Sequence, residues 1–359
     1  MRIGDAQLYR YRLPLRTPLS VGDHTLAERR GLLLRVIGPN GSEGWGDAAP
    51  LPGFSSESPA DAARWGRRLL PGLRGMALEE GKLGDLLCAL PIGDAPPSIQ
   101  FAVEGAVVEL LANMRSEAVV QVLGGEDETV ALNALITDAA SDLGAEANRL
   151  RERGFRAVKL KVGRRSVRGD AKRVRTLAKA LGTEVALRLD ANRAWTLDEA
   201  VIFARALDDV PFAYVEEPLL DPTRLPDLVN QTGLPIAIDE TTREGQPETL
   251  SDDLPLRAVV LKPTLLGGIA ASRRWARWAR RRNADPVVSA SYESGVGLRM
   301  LGALAASLSD APAGLSTYAA LETDVLQPRL LLDGAVVEAE QNFNSKVNMS
   351  ILDPVDAVN

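Results

Sequence analysis

From about residue 129 onward the chain repeats one pattern: a short apolar run, then a helical segment, then another apolar run. Strands are expected at 130–136, 157–162, 185–190, 212–216, 236–239, 258–262 and 286–289, with an eighth at 315–319. Each pair is separated by a segment long enough for a crossover, so the strands should lie parallel. The helices between them carry punctuation. Thr196 and Glu199 form a capping box, and Gly154 and Gly233 sit where helix C-caps are expected. A (β/α) barrel and an open doubly wound sheet both fit this alternation. No Gly-x-Gly-x-x-Gly follows an early strand, which disfavours a dinucleotide-binding sheet.

The earlier part of the chain reads differently, as α+β. Strands are expected at 8–15 and 31–37. Pro39-Asn40-Gly41 makes a turn before Gly44-Trp45-Gly46, and helices are expected at 59–70 and 98–113. The organisation expected is an α+β domain over 1–125 and the alternating domain over 126–337. A weakly periodic, Asn-containing tail covers 338–359, either loose or packed back on the first domain.

Apolar residues make up 45% of the 359 positions, enough for a sizeable core. The formal charge is 42 − 48 = −6, and this acidic excess argues against a nucleic-acid binder. Arg273, Arg274, Arg277, Arg280, Arg281 and Arg282 interleave with Trp275, Ala276, Trp278 and Ala279, which predicts an amphipathic helix with a solvated basic side. Cys88 is the only cysteine, so no internal disulfide is possible; its apolar neighbours suggest a core position. No apolar signal region opens the chain and no run is long enough to span a membrane, so a cytoplasmic setting is expected. The sequence sets no oligomeric state.

The chemistry lies where charges fall. Each strand of the second half is apolar until its end and there delivers charge: Lys159 and Lys161, then Asp190, Glu216, Asp239 and Lys262. In a barrel all these ends open on one face, where active sites sit. Asp190, Glu216 and Asp239 come from three successive strands, and three convergent carboxylates repel unless a cation neutralises them. Oxygen ligands suit a hard ion such as Mg²⁺. His24 is the only histidine, which argues against zinc. Lys159 and Lys161, two apart, face the same way and are expected to depress each other's pKa, as a lysine base requires. Taken singly, each carboxylate could cap the next helix and the lysines could be surface residues; the set in register argues for a functional site.

The ordered set Lys159-Leu160-Lys161-Val162-Gly163, Leu189-Asp190-Ala191-Asn192, Val215-Glu216-Glu217-Pro218, Ile238-Asp239-Glu240 and Leu261-Lys262-Pro263 resembles the enolase superfamily, in its muconate-lactonizing subgroup. The resemblance implies a modified (β/α)7β TIM-like barrel with an N-terminal α+β capping domain. It also implies Mg²⁺, for which Mn²⁺ can substitute, on Asp190, Glu216 and Asp239. Lys161 would be the base, with Lys262 flanking the substrate and Lys159 tuning Lys161. A lysine base beside Mg²⁺ and an ene-diolate is characteristic of that superfamily.

Within it, three stretches are similar to o-succinylbenzoate synthases: 44–55 (Gly-Trp-Gly-Asp-Ala-Ala-Pro-Leu-Pro-Gly-Phe-Ser), 187–195 and 289–298. The Asp-x-Asp that dipeptide epimerases carry near the seventh strand is absent. This implies syn-dehydration of 2-succinyl-6-hydroxy-2,4-cyclohexadiene-1-carboxylate to o-succinylbenzoate in menaquinone biosynthesis. Arg188, Asn192 and Ser289 are candidates for substrate binding or support. The rivals are an N-succinylamino acid racemase or another racemase or cycloisomerase, and a non-catalytic binding protein on the same fold. The complete lysine and carboxylate set argues against the last. The tail and a longer stretch at 72–94 depart from the synthase pattern.

Overall fold

The computed structural model describes residues 1–79, 81–126, 129–136, 140, 142–250, 254–339 and 345–355. β1 (Asp5–Val21), β2 (His24–Ile37) and β3 (Glu43–Ala48) form an antiparallel meander. A helix, Pro97–Arg115, lies against β3. The two glycines of Gly44-Trp45-Gly46 permit that approach: a Cβ on Gly44 would stand 2.0 Å from the Ala106 carbonyl oxygen, and one on Gly46 1.8 Å from that of Ala102. Helix Pro59–Leu73 starts with a capping box between Ser58 and Asp61. In the short helix Leu83–Ala89, Leu86 and Leu87 turn inward with the following Leu90, so Cys88 faces out. The core position expected for Cys88 is therefore corrected by helical periodicity: apolar neighbours in sequence are not neighbours on one face.

β4 (Thr129–Ala131) leads into the barrel strands β5 (Asn133–Ile136), β6 (Ala157–Lys161), β7 (Ala186–Asp190), β8 (Tyr214–Glu216), β9 (Ile236–Ile238), β10 (Leu256–Leu261) and β11 (Asp285–Val288). The last seven lie parallel in chain order, each joined to the next by a helical crossover. Alternation along β6 buries Val158 and Leu160 completely and leaves Lys159 and Lys161 on the other face, half-buried. The eighth strand differs from expectation. Residues 315–319 do not form one; Ser316–Ala320 is a 3₁₀ turn. Ala313 and Gly314 close the ring instead. Ala313 N donates to Ala131 O (2.8 Å) and Asn133 N to Ala313 O (2.9 Å); Gly314 N donates to Val288 O (2.9 Å) and Ala290 N to Gly314 O (2.9 Å). Closure removes the open-sheet alternative.

The basic helix, Gly268–Arg280, buries Trp275, Ala276, Trp278 and Ala279, while Arg274 pairs with Glu248 on the outside. Near the chain's end, Asp353–Pro354 pairs antiparallel with β1, Val355 N donates to Leu8 O (2.8 Å), and Leu352 and Val355 are buried. Among the described residues no helix is long and apolar enough to cross a membrane.

Arg29 and Asp47 help bind the meander to the barrel. Arg29 is fully buried. Its Nη2 donates to Ala49 O (2.8 Å), its Nη1 to Pro50 O (3.1 Å) and its Nε to Tyr292 O (3.2 Å), beyond the end of β11. Asp47 accepts from Tyr11 (2.8 Å) and from both the backbone and hydroxyl of Ser294 (2.8 Å each), and burial pushes its carboxyl up to about 7.

Glu104, on the helix against β3, accepts from the backbone N–H groups of Ile269 and Ala270 at the start of the basic helix. Burial pushes its carboxyl up to about 7, against an ordinary 4.5. A raised folded-state pKa means stability is fully present below about 4.5 and is lost as pH rises through about 7. Glu104→Gln keeps an acceptor and removes the charge. Urea unfolding at pH 5 and 8.5 is therefore expected to show a smaller fall in stability for the variant, by about 1–3 kcal/mol. An equal fall in both proteins would refute the assignment.

Candidate active site

The C-terminal ends of β6 to β10 deliver their charges to one cavity of about 440 Å³. Lys159, Lys161, Arg188, Asp190, Asn192, Glu216, Lys262 and Ser289 all line it, and Asp239, directly after β9, enters through Lys262. Every candidate read from the sequence is thus brought to one place.

The lysines and carboxylates interlock. Lys159 Nζ lies 2.9 Å from both oxygens of Glu216 and 2.9 Å from Asp190 Oδ2. Lys262 Nζ pairs with Asp239 Oδ2. Lys161 Nζ donates to Asn192 Oδ1 (2.9 Å) and stands 3.9 Å from Asp190 Oδ2. Burial disfavours the charge on Lys159, but Asp190, Glu216 and Asp239 outweigh it and hold its pKa well above the ordinary value. Lys262 is raised in the same way, burial being overcome chiefly by Asp239. Lys161 goes the other way: burial, then the repulsion of Lys159 and Arg164, lowers it. The expectation that the two neighbours depress each other therefore holds for Lys161 alone, because Lys159 sits among the carboxylates and Lys161 beside them. Burial raises Glu216 well above the carboxylate range, with Asp190 adding to it. In Asp190, burial is outweighed by Lys159 and Lys161, and its pKa is lowered.

A divalent cation fits this donor set. Asp190, Glu216 and Asp239 are each almost wholly buried, and Asp239 Oδ1 has no hydrogen-bond partner among the described residues. A buried carboxylate oxygen left unpaired is costly unless a further cation or donor meets it. As the chain stands, the ammonium groups of Lys159 and Lys262 carry the charge between the carboxylates, and no three Asp, Glu, His or Cys groups among the described residues are drawn into a closed cage.

Supporting residues fall into read and missed. Arg188 donates to Pro312 O (2.6 Å) and lies over the Tyr214 ring, and its Nε is buried with no partner among the described residues. Ser289 reaches Gly314 O (3.3 Å) at the ring closure. Asn192, at φ 44°, bridges Lys161 and Glu240. Missed from the sequence was Glu217, fully buried. It accepts from Asp239 N (2.8 Å), Thr241 N (2.7 Å) and Arg193 Nε (3.0 Å), and so fixes the backbone that carries Asp239. Its signal was the doubled Glu216-Glu217. The stretch 51–55 is a tight turn, Leu51 N donating to Ser55 Oγ (2.8 Å), and it also presents the Phe54 ring 5.7 Å from Lys262 Nζ. Tyr292, lining the cavity, was likewise missed. Its φ of 63° puts a bulky residue in the left-handed region, at a cost of order 1–2 kcal/mol.

A parallel barrel whose strand ends gather three buried carboxylates and three lysines beside a separate α+β domain is the architecture of a particular group of enzymes. The family described as Enolase C-terminal domain-like matches residues 142–342, and the family described as MenC, N-terminal domain matches 3–110. An o-succinylbenzoate synthase of Edwardsiella ictaluri is 31% identical over 332 residues, covering 90% of this chain and 93% of the relative. One from Pasteurella multocida is 29% identical, covering 90% and 91%. Among solved structures, the L-Ala-D/L-Glu epimerase of Bacillus subtilis superposes with TM-score 0.80 at 24% identity, covering all of both chains. The muconate lactonizing enzyme of Pseudomonas fluorescens superposes with TM-score 0.81 at 21% identity, covering 97% of each. These two speak for the fold alone. The chain belongs to the enolase superfamily and, within it, to the o-succinylbenzoate synthase family.

Proposed function

We propose that this chain dehydrates 2-succinyl-6-hydroxy-2,4-cyclohexadiene-1-carboxylate to o-succinylbenzoate. The observation that carries the reading is the placement of Lys159, Lys161 and Lys262 around three buried carboxylates, Asp190, Glu216 and Asp239, at one cavity. Lys161, whose pKa burial lowers, is shifted toward the neutral form a base needs and removes the proton α to the ring carboxylate. It then returns that proton to the departing hydroxyl on the same face, and loss of water makes the ring aromatic. Lys262, kept charged by Asp239, stabilises the developing anion. Lys159 holds Asp190 and Glu216 in place and adds repulsion at Lys161. Asp190, Glu216 and Asp239 would hold Mg²⁺, with Mn²⁺ as a substitute. When bound, the ion supplies a fixed charge beside the carboxylate on which electron density grows. Asn192 orients Lys161; Arg188 and Ser289 line the substrate space. The setting proposed is the cytoplasm, with a small carboxylate as the substrate.

The test is loss of the diene absorbance of freshly made substrate, with Mg²⁺ and with EDTA. Metal-dependent turnover at kcat/KM of about 10⁴ M⁻¹s⁻¹ or more is expected. If no loss exceeds the uncatalysed rate, the dehydration is wrong, and N-succinylamino acids become the next substrates to try.

A further inference from the structure

We propose that Tyr292 determines specificity: its phenol hydroxyl donates a hydrogen bond to an oxygen of the substrate's side arm, away from the carboxylate beside Lys161. The inference rests on the proposed dehydration, whose substrate carries a keto acid arm on the ring. At the reacting end, the ring carboxylate meets Lys161, Lys262 and the acidic triad. The arm's ketone and carboxylate oxygens need partners elsewhere in the cavity. The lining contributed by the N-terminal domain is mostly apolar, with Leu19, Val21, Leu51 and Phe54, and Ser20 is its one side-chain hydroxyl among the described residues.

The wall after β11 offers others. Tyr292 is half-buried in the cavity lining, and its hydroxyl has no hydrogen-bond partner among the described residues. Lys262, Arg29 and Arg164 all exert positive charge on that phenol, so an anionic oxygen beside it is favoured. Ser291 and Thr317 line the same cavity.

The placement of Tyr292 is fixed from both sides. Arg29 Nε holds its carbonyl (3.2 Å), Ser291 N donates to Glu293 Oε2 (2.5 Å), and Ser294 is held by Asp47. A residue without a Cβ would adopt the left-handed backbone at no cost. A tyrosine there, pinned by a fully buried arginine, is placed for its side chain. Tyr292 is a substrate-contacting residue in this reading, and Arg29 is a positioning residue.

Tyr292→Phe removes one hydroxyl and leaves the ring and backbone. Steady-state kinetics on the substrate and calorimetric binding of o-succinylbenzoate and of benzoate, which lacks the arm, make the test. Expected are a rise of about 10-fold in KM and in the o-succinylbenzoate Kd, kcat within about 2-fold, and an unchanged benzoate Kd. Unchanged o-succinylbenzoate binding, or equal weakening of both ligands, overturns the assignment. Arm-dependent binding through Tyr292 in an unmodified chain that turns nothing over overturns the dehydration and leaves the contact standing.

Discussion

Lys161→Ala is expected to lower kcat for the dehydration by about 10²–10⁴-fold, the usual contribution of a positioned base. The substitution leaves the ion pairs of Lys159 with Asp190 and Glu216 and of Lys262 with Asp239 untouched, so the fold and the acidic cluster remain. Lys161→Arg should fail equally, since a guanidinium does not give up its proton in this pH range. The diene assay reads both. Retention of more than about a tenth of the rate in Lys161→Ala would remove Lys161 from the proton transfer. The rate would then have to come from Lys262, which Asp239 and Glu216 hold in the charged form.

Arg29→Met carries the largest expected cost in stability, about 3 kcal/mol in urea unfolding. Three donors are lost, and the carbonyls of Ala49, Pro50 and Tyr292 are left buried without them, each missing bond being worth about 1 kcal/mol or more. The guanidinium also offsets part of the rise that burial imposes on Glu293 and on Tyr11. A loss under about 1 kcal/mol would mean that water or a shift of the 289–294 loop satisfies those carbonyls.

The reacting centre was legible because barrel geometry turns a one-dimensional regularity into a cluster. A charge at the end of every apolar run becomes, once the runs lie parallel, a ring of charges on one face. Lys159, Asp190, Glu216 and Lys262 needed no knowledge of any contact beyond their own strand. What escaped was whatever depends on a partner far along the chain. Arg29 reads as one more basic residue in Glu28-Arg29-Arg30, yet its neighbours Glu28 and Arg30 pair with each other while it is buried against residue 292. Glu104 sits in an apolar helix with nothing nearby to mark its bond to residues 269 and 270. The eighth strand was misplaced because residues 315–319 have the right composition, while backbone pairing selected Ala313 and Gly314, two small residues with no strand-like pattern. The opposite shifts of Lys159 and Lys161 could not be told from spacing, because they depend on which of two identical side chains reaches the carboxylates.

The pairing of Asp353–Pro354 with β1 places the beginning and the end of the described chain in one sheet. In topological terms the barrel is an insertion: the polypeptide leaves the N-terminal unit, builds the whole catalytic ring, and comes back to lay the outermost strand of the sheet it started. During synthesis that edge is made after the ring. The unit that roofs the cavity is complete only after the ring beneath it exists, so assembly of the two is ordered by the path of the chain.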